Sequence, residues 1–332
     1  MPCRIFSSAD YEKGHTVKRE FWSGLIKPST RAFVREARRT PGYSFFDWLH
    51  GYIYARWPYL YIGLGTGEHP LARVLSPLLR RLARLFPPRA ISDRSSERVT
   101  FADTYHGKVL PLEAAKRLVS VKEEISLTNL EQVIPYSRAR DIVLRNPDHI
   151  VALECPCRAS RPNPCLPLDV CLIVGEPFAT FVAEHHPRRS RWITPEEAVE
   201  ILRAEHERGH VHHAFFKDAM LGRFYAICNC CSCCCGAMQA WRGGTPMLAP
   251  SGYVSRVDDE LCIGCSLCAD SCPFGALALE EGVAVVDGEA CMGCGVCVSK
   301  CAQGALSLVR EPGKGEPLEI HELMATAIQS CE

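Results

Sequence analysis

Apolar positions in the front third of the chain fall at helical spacing. Leu71, Val74, Leu75, Leu78, Leu79, Leu82, Leu85 and Phe86 recur three and four apart, with Arg73, Arg80, Arg81 and Arg84 between them. This predicts a basic amphipathic helix over 71–86, kinked or restarted at Pro77 and ended by Pro87-Pro88. Further on, Thr194-Pro195-Glu196-Glu197 carries a cap, a first-turn proline and a capping-box glutamate, and Gly209 marks the stop of that helix. Residues 58–62 look strand-like before the glycines at 63, 65 and 67. Past Ser251 the period changes, and short runs over 253–257, 276–280, 283–287 and 306–310 predict strands. Residues 312–332 read as a polar extension with a terminal helix. The fold class is α+β: a helical N-terminal region, an irregular cysteine-loop central domain and a C-terminal ferredoxin-like domain.

Cysteine placement sharpens these divisions. Of the 20 cysteines, none lies between Arg4 and Glu154 and eighteen lie from Cys155 to Cys301, while Cys3 and Cys331 sit near the chain ends. The expected segments are 1–100, basic and aromatic; 101–252, cysteine-rich; 253–311, a doubled cysteine motif; and 312–332. Formal charge is zero overall, but residues 1–100 hold 17 basic and 8 acidic side chains while 253–311 hold 3 and 9. A balanced chain has no global pull towards nucleic acid, and no nucleic-acid partner is expected. No apolar run reaches the ~18 residues of a spanning helix. The first twenty residues carry no secretory pattern, so the expectation is a cytoplasmic protein whose thiols bind metal rather than form disulfides. The basic helix over 71–86 could pack on the rest of the chain, lie on the inner face of a membrane or fill a partner's groove.

The doubled motif carries the clearest chemistry. Cys262-Ile-Gly-Cys265-Ser-Leu-Cys268-Ala-Asp-Ser-Cys272-Pro273 follows C-x2-C-x2-C-x3-C-P, and Cys291-Met-Gly-Cys294-Gly-Val-Cys297-Val-Ser-Lys-Cys301 repeats it with Ala302 in place of proline. This resembles a bacterial-type two-cluster ferredoxin domain, a (βαβ)2 fold. The resemblance implies two 4Fe-4S clusters, one held by Cys262, Cys265, Cys268 and Cys301 and the other by Cys291, Cys294, Cys297 and Cys272, because the fourth ligand comes from the other repeat. Gly264 and Gly293 would let backbone N–H groups approach. Such clusters move single electrons, and the acidic surroundings disfavour adding one, which keeps the potential low.

Two further loops are denser still. Cys155-Pro-Cys157-Arg158, Cys165 and Cys171 form one, with prolines at 156, 162, 164 and 167; Cys228-Asn-Cys230-Cys231-Ser-Cys233-Cys234-Cys235-Gly236 forms the other. Ten thiols exceed what two more cubanes need, and adjacent cysteines point apart, so each loop can serve two sites. One or two further iron–sulfur clusters are expected here, two being the central expectation. With its flanks, this stretch is similar to a group of poorly characterised iron–sulfur proteins of anaerobic bacteria that carry C-x-C-R and C-N-C-C-x-C-C-C loops ahead of a ferredoxin domain. Cys234-Cys235-Gly236 is also similar to the CCG motif of heterodisulfide-reductase-type subunits, whose cluster acts directly on disulfides. That family's downstream cysteine pair would have to coincide with Cys265 and Cys268, already used by the ferredoxin pattern.

Arg158 would offset cluster charge, and His206, His210, His212 and His213 would ligate metal or relay protons if they are not surface or core residues. The function expected is intracellular electron transfer between the ferredoxin clusters and a central metal centre, onward to or from a redox partner protein. Its rivals are an oxidoreductase that reduces a disulfide or other small acceptor at the central site, and a cluster-based redox sensor.

Overall fold

The structure is a computed structural model describing residues 26–69, 71–72, 105–136 and 140–329. All but the first two residues of the helix expected over 71–86 lie outside the described residues, as do Cys3 and Cys331.

Helices α1 (Pro28–Arg39), α2 (Phe45–Arg56) and α3 (Pro58–Gly65) come first. The central region runs β1 (Tyr105–Leu110), α4 (Leu112–Val119), β2 (Ile125–Leu127), β3 (Ile142–Leu153), α5 (Pro156–Ala159), β4 (Cys171–Glu176), α6 (Phe178–His185) and β5 (Ser190–Ile193). It continues with α7 (Pro195–Glu207), β6 (Val211–Lys217), β7 (Arg223–Cys230), α8 (Gly236–Arg242) and β8 (Leu248–Ala249). The C-terminal part holds β9 (Tyr253–Val257), α9 (Leu267–Ser271), β10 (Leu277–Glu280), β11 (Val283–Val286), α10 (Val296–Lys300), β12 (Leu306–Arg310) and α11 (Ile320–Gln329). Helices and sheets are thus mixed along the chain in an α+β arrangement.

Among the described residues the first eight strands build one sheet in the order β2-β3-β4-β7-β6-β1-β8, with β5 added to β3. Its pairings are antiparallel apart from β1 with β8. One face carries Leu110, Leu144, Leu172, Phe216 and Ile227 against α4, α7 and α11; the other carries Val109, Val151, Ile173 and Phe215 against α1, α2 and α6. The expectation of an irregular cysteine-loop central domain missed this sheet for a physical reason. Strand β6 is buried along its whole length and β7 nearly so, so neither shows the polar alternation of a half-solvated strand. Buried His212, His213, Lys217, Arg223 and Asn229 interrupt their apolar runs as well.

Residues 58–62 are helical, not extended: Pro58 takes the first helical turn, where its missing N–H is not needed. The helix begun by Thr194 is present, with its hydroxyl accepting from Glu197 N at 3.2 Å, but the Glu197 carboxylate bonds Arg191 at 2.5 Å and leaves the capping box half made.

The C-terminal part forms two antiparallel pairs, β10 with β11 and β12 with β9. It docks on the central sheet through Met292, Cys294 and Val296, which enter the core that holds Phe33, Phe178 and Cys230. The edge of Trp241 meets Phe274 at 5.2 Å, and Arg242 donates to the Pro273 carbonyl at 2.9 Å. The final segment straps the two parts together. Leu318 and Ile320 are buried, Arg117 pairs with Glu319 at 2.6 Å, and Lys108 donates to the Glu316 carbonyl at 2.7 Å. Among the described residues no helix is long and apolar enough to cross a membrane.

Candidate metal centres

Each C-x2-C-x2-C run wraps the start of a short helix. The turn into α9 places Ser266 at φ 63° and the equivalent turn into α10 places Gly295 at φ 79°. Cys262, Cys265 and Cys268 then meet Cys301 around a cavity of about 110 Å³. Cys291, Cys294 and Cys297 meet Cys272 around a smaller one of about 20 Å³. Each cavity therefore draws its fourth cysteine from the other repeat. Backbone N–H groups already aim at the sulfurs: Ala284 N at Cys262 Sγ (3.4 Å), Ala276 N at Cys272 Sγ (3.3 Å) and Ser255 N at Cys291 Sγ (3.5 Å). Thiol-lined cavities with N–H donors suit a 4Fe-4S cluster, whose sulfurs carry negative charge.

The motif glycines also meet a packing requirement. A Cβ on Gly264 would sit 2.3 Å from the Gly282 carbonyl oxygen, and one on Gly293 would sit 2.2 Å from both Ser251 Oγ and the Tyr253 carbonyl oxygen. They allow neighbouring backbone to close over the loops.

The two quartets differ in exposure. Cys265 is exposed and Cys262 and Cys301 are half-buried, whereas Cys291, Cys294 and Cys297 are buried. Burial holds the Cys268, Cys294 and Cys297 thiols above their ordinary pKa, so a bound cation must displace their protons.

The ten central cysteines divide into six and four, and both loops contribute to both groups. Strands β3, β4 and β7 end side by side, with Leu153 opposite Cys171 and Cys171 opposite Cys228. Alternation sends Cys228 and Cys230 to the face that carries Val109 and Phe215, and Asn229 to the other. There Cys155, Cys157, Cys171, Cys228, Cys230 and Cys235 line a cavity of about 70 Å³ roofed by Tyr54, Pro58 and Ile62, and Cys231, which belongs to the second group, borders it as well. Their thiols run as a contact series: Cys228 with Cys171, Cys171 with Cys155, Cys155 with Cys157, Cys157 with Cys235, and Cys235 with Cys230 at 3.2 Å. The contact with Cys157 and burial push Cys155 up to about 12, against the opposing pull of its contact with Cys171. The hydrogen bond from Cys235 pulls Cys230 down, but burial and the charges of Cys228, Cys155 and Cys157 win and push it up to about 12.

The other four, Cys165, Cys231, Cys233 and Cys234, have all their sulfurs within 4.8 Å of one another. Cys165 and Cys233 approach to 3.0 Å near the surface.

Arg158 lies between the groups, buried and not solvated. It donates to Glu205 at 2.5 Å, to the Pro167 carbonyl at 2.6 Å and to the Asn229 carbonyl at 2.9 Å. Its charge is already balanced by Glu205, which is as buried as Arg158 and was not singled out from the sequence. A signal existed: Glu205 follows Ala198 and Leu202 at i+7 and i+3 on the buried face of α7.

The histidines split between the two faces. His206 stacks on His212 at 5.4 Å, His212 meets Asn229 Oδ1 at 2.6 Å, and His210 meets Glu205 at 2.7 Å. His213 is fully buried on the opposite face, directly across from Cys228.

Residues 255–302 match the family of the 4Fe-4S dicluster domain. The C-terminal part is therefore a ferredoxin-type domain, which indicates an iron–sulfur electron-transfer role for the chain. No curated protein matches it.

Proposed function

We propose that the chain is an electron carrier in which a redox partner docks at the exposed quartet of Cys262, Cys265, Cys268 and Cys301. The buried quartet of Cys272, Cys291, Cys294 and Cys297 lies next on the path, and the six-thiol ring forms the central metal centre at its end. Clusters bound at such sites take up and release one electron at a time. One observation carries the reading: Met292, Cys294 and Val296 share a single core with Cys155, Cys171, Cys230 and Cys235, so the inner quartet and the ring are separated by packed side chains and not by solvent. The chain's own groups exclude water from this junction and fix the sulfurs through N–H donors, which limits rearrangement when charge changes.

Six thiols exceed the four that a cubane binds, and this excess favours a second role for the ring, reduction of a small acceptor such as a disulfide by the same electrons. The test is metal analysis of the anaerobically isolated full-length protein and its Cys155→Ser/Cys157→Ser variant. Wild type should hold more than the about eight irons of two ferredoxin clusters. The variant should lose that excess and keep the paired reduced-cluster EPR signal. About eight irons in both proteins would refute the central centre. Turnover of a disulfide by the purified protein, with a low-potential one-electron reductant supplying the two electrons per disulfide and no other protein present, would assign the second role.

A further inference from the structure

The two central groups are unlike in geometry. A metal ion bound by four thiolates at about 2.3 Å sets its sulfurs ~3.8 Å apart at the corners of a tetrahedron. In a cubane each thiolate holds a different iron, so the four sulfurs stand further apart. Among the described residues, the quartet of Cys165, Cys231, Cys233 and Cys234 is the one cysteine group whose sulfurs all lie within 4.8 Å. Neither the two ferredoxin quartets nor any three thiols of the six-thiol ring close to that limit.

The loop carrying three of these cysteines is tied down. Arg242 donates to the Ser232 carbonyl at 2.8 Å, Gln239 to the Cys233 carbonyl at 2.9 Å and Arg161 to the Cys234 carbonyl at 3.3 Å. Arg161 also donates to Gln239 Oε1 at 2.7 Å and pairs with Glu68. Three successive carbonyls are thus satisfied by side chains, two of them cationic, which holds the loop open for its sulfurs and offsets the charge of a thiolate-bound ion.

We propose that Cys165, Cys231, Cys233 and Cys234 form a separate site for a single tetrahedrally held transition-metal ion, iron or zinc, beside the polynuclear centre of the six-thiol ring. This rests on the reading that the central cysteines bind metal, and it replaces the expectation of two further cubanes with one cluster and one ion. Cys233 and Cys165 lie near the surface, so the ion exchanges more readily than the cluster and is the outer of the two central metals.

The test compares metal and acid-labile sulfide in the anaerobically isolated full-length protein with its Cys165→Ser/Cys233→Ser variant. The variant should lose about one iron or zinc ion per chain with no loss of sulfide, and keep its reduced ferredoxin EPR signal. Loss of about four irons with about four sulfides would mean a cubane and overturn the proposal. Unchanged metal alongside a surplus of iron over the ferredoxin clusters would overturn it too, leaving the central centre standing. No surplus metal in the wild type would instead defeat the underlying reading. As a check that does not depend on the variant folding, protein produced with cobalt should show the ligand-field bands of a tetrahedral cobalt–thiolate site. Their absence, or a Cys165–Cys233 disulfide found by mass spectrometry in the anaerobic protein, counts against the site.

Discussion

Arg158 and Glu205 show how a single pair constrains the centre. Both are buried; Glu205 also meets Arg208 at 3.1 Å and His210 at 2.7 Å, whereas Arg158 has Glu205 as its carboxylate partner and without it would be a buried charge lacking a counter-ion. Replacing one partner of such a pair costs roughly 3–5 kcal/mol, while replacing both with neutral groups of similar shape costs far less. Glu205→Gln should therefore lower the denaturant midpoint sharply, and Arg158→Met/Glu205→Gln should recover most of the loss; equal midpoints for the two variants would count against a coupled pair. At the first ferredoxin turn Ser266 holds a left-handed conformation that Gly295 adopts without cost in the second. Ser266→Gly should raise stability by up to about 1 kcal/mol, as read from the denaturant midpoint for loss of cluster absorbance. Gly264→Ala, forcing a Cβ against the Gly282 carbonyl, should lower that midpoint and the iron content together.

Strand β1 and the segment before α11 are joined at Lys108, and that joint is sensitive to pH. Burial, then the nearby Arg310 charge, pull the Lys108 ammonium down from 10.5 to about 7, against the opposing pull of Glu316. The unfolded chain gains this proton below about 10.5 but the folded protein only below about 7. Lys108 thus costs stability increasingly as pH falls across that window, and the full cost is present below it. The stability difference between Lys108→Met and wild type should consequently shift in the variant's favour from pH 10 to pH 7. A difference that stays flat with pH would show that the ammonium is solvated.

For the whole molecule, the outer quartet is set in a mixed surface. Leu261, Ile263 and Leu267 are exposed around Cys265, and Asp258, Asp259, Glu260 and Asp270 lie close in sequence to them. For the partner proposed above, exposed apolar residues with acidic ones near them in sequence favour a basic protein donor that docks transiently, with contact supplied by the apolar residues and encounter rate by the charges. Ile263→Glu/Leu267→Glu should slow reduction by a low-potential protein donor about tenfold or more, while reduction by dithionite is unchanged. Raising salt should slow the wild-type reaction with a basic donor. Equal slowing with dithionite would mean that the cluster site itself was damaged.

The amino-acid sequence by itself determined the local parts whose signals are short-range. The strands over 253–257 and 306–310, the helix begun by Thr194 and the doubled cysteine register are each legible within a dozen residues, because turn chemistry, caps and ligand spacing act over that distance. It also displayed ten central thiols in two loops, each able to serve two sites. It did not reveal how they divide, since that depends on β4 and β7 lying side by side and on which face each strand turns to the core. Tertiary structure decided that Cys230 and Cys235 face the ring while Cys233 and Cys234 gather with Cys165, and that Cys231 joins this second group while also bordering the ring's cavity. It likewise decided that Arg158 is buried against Glu205, and that residues 58–62 are helical where an isolated apolar run of that length fits either helix or strand. Strands buried on both faces lose the alternation that would mark them, so the sheet that carries the central centre became visible only once its neighbours were in place.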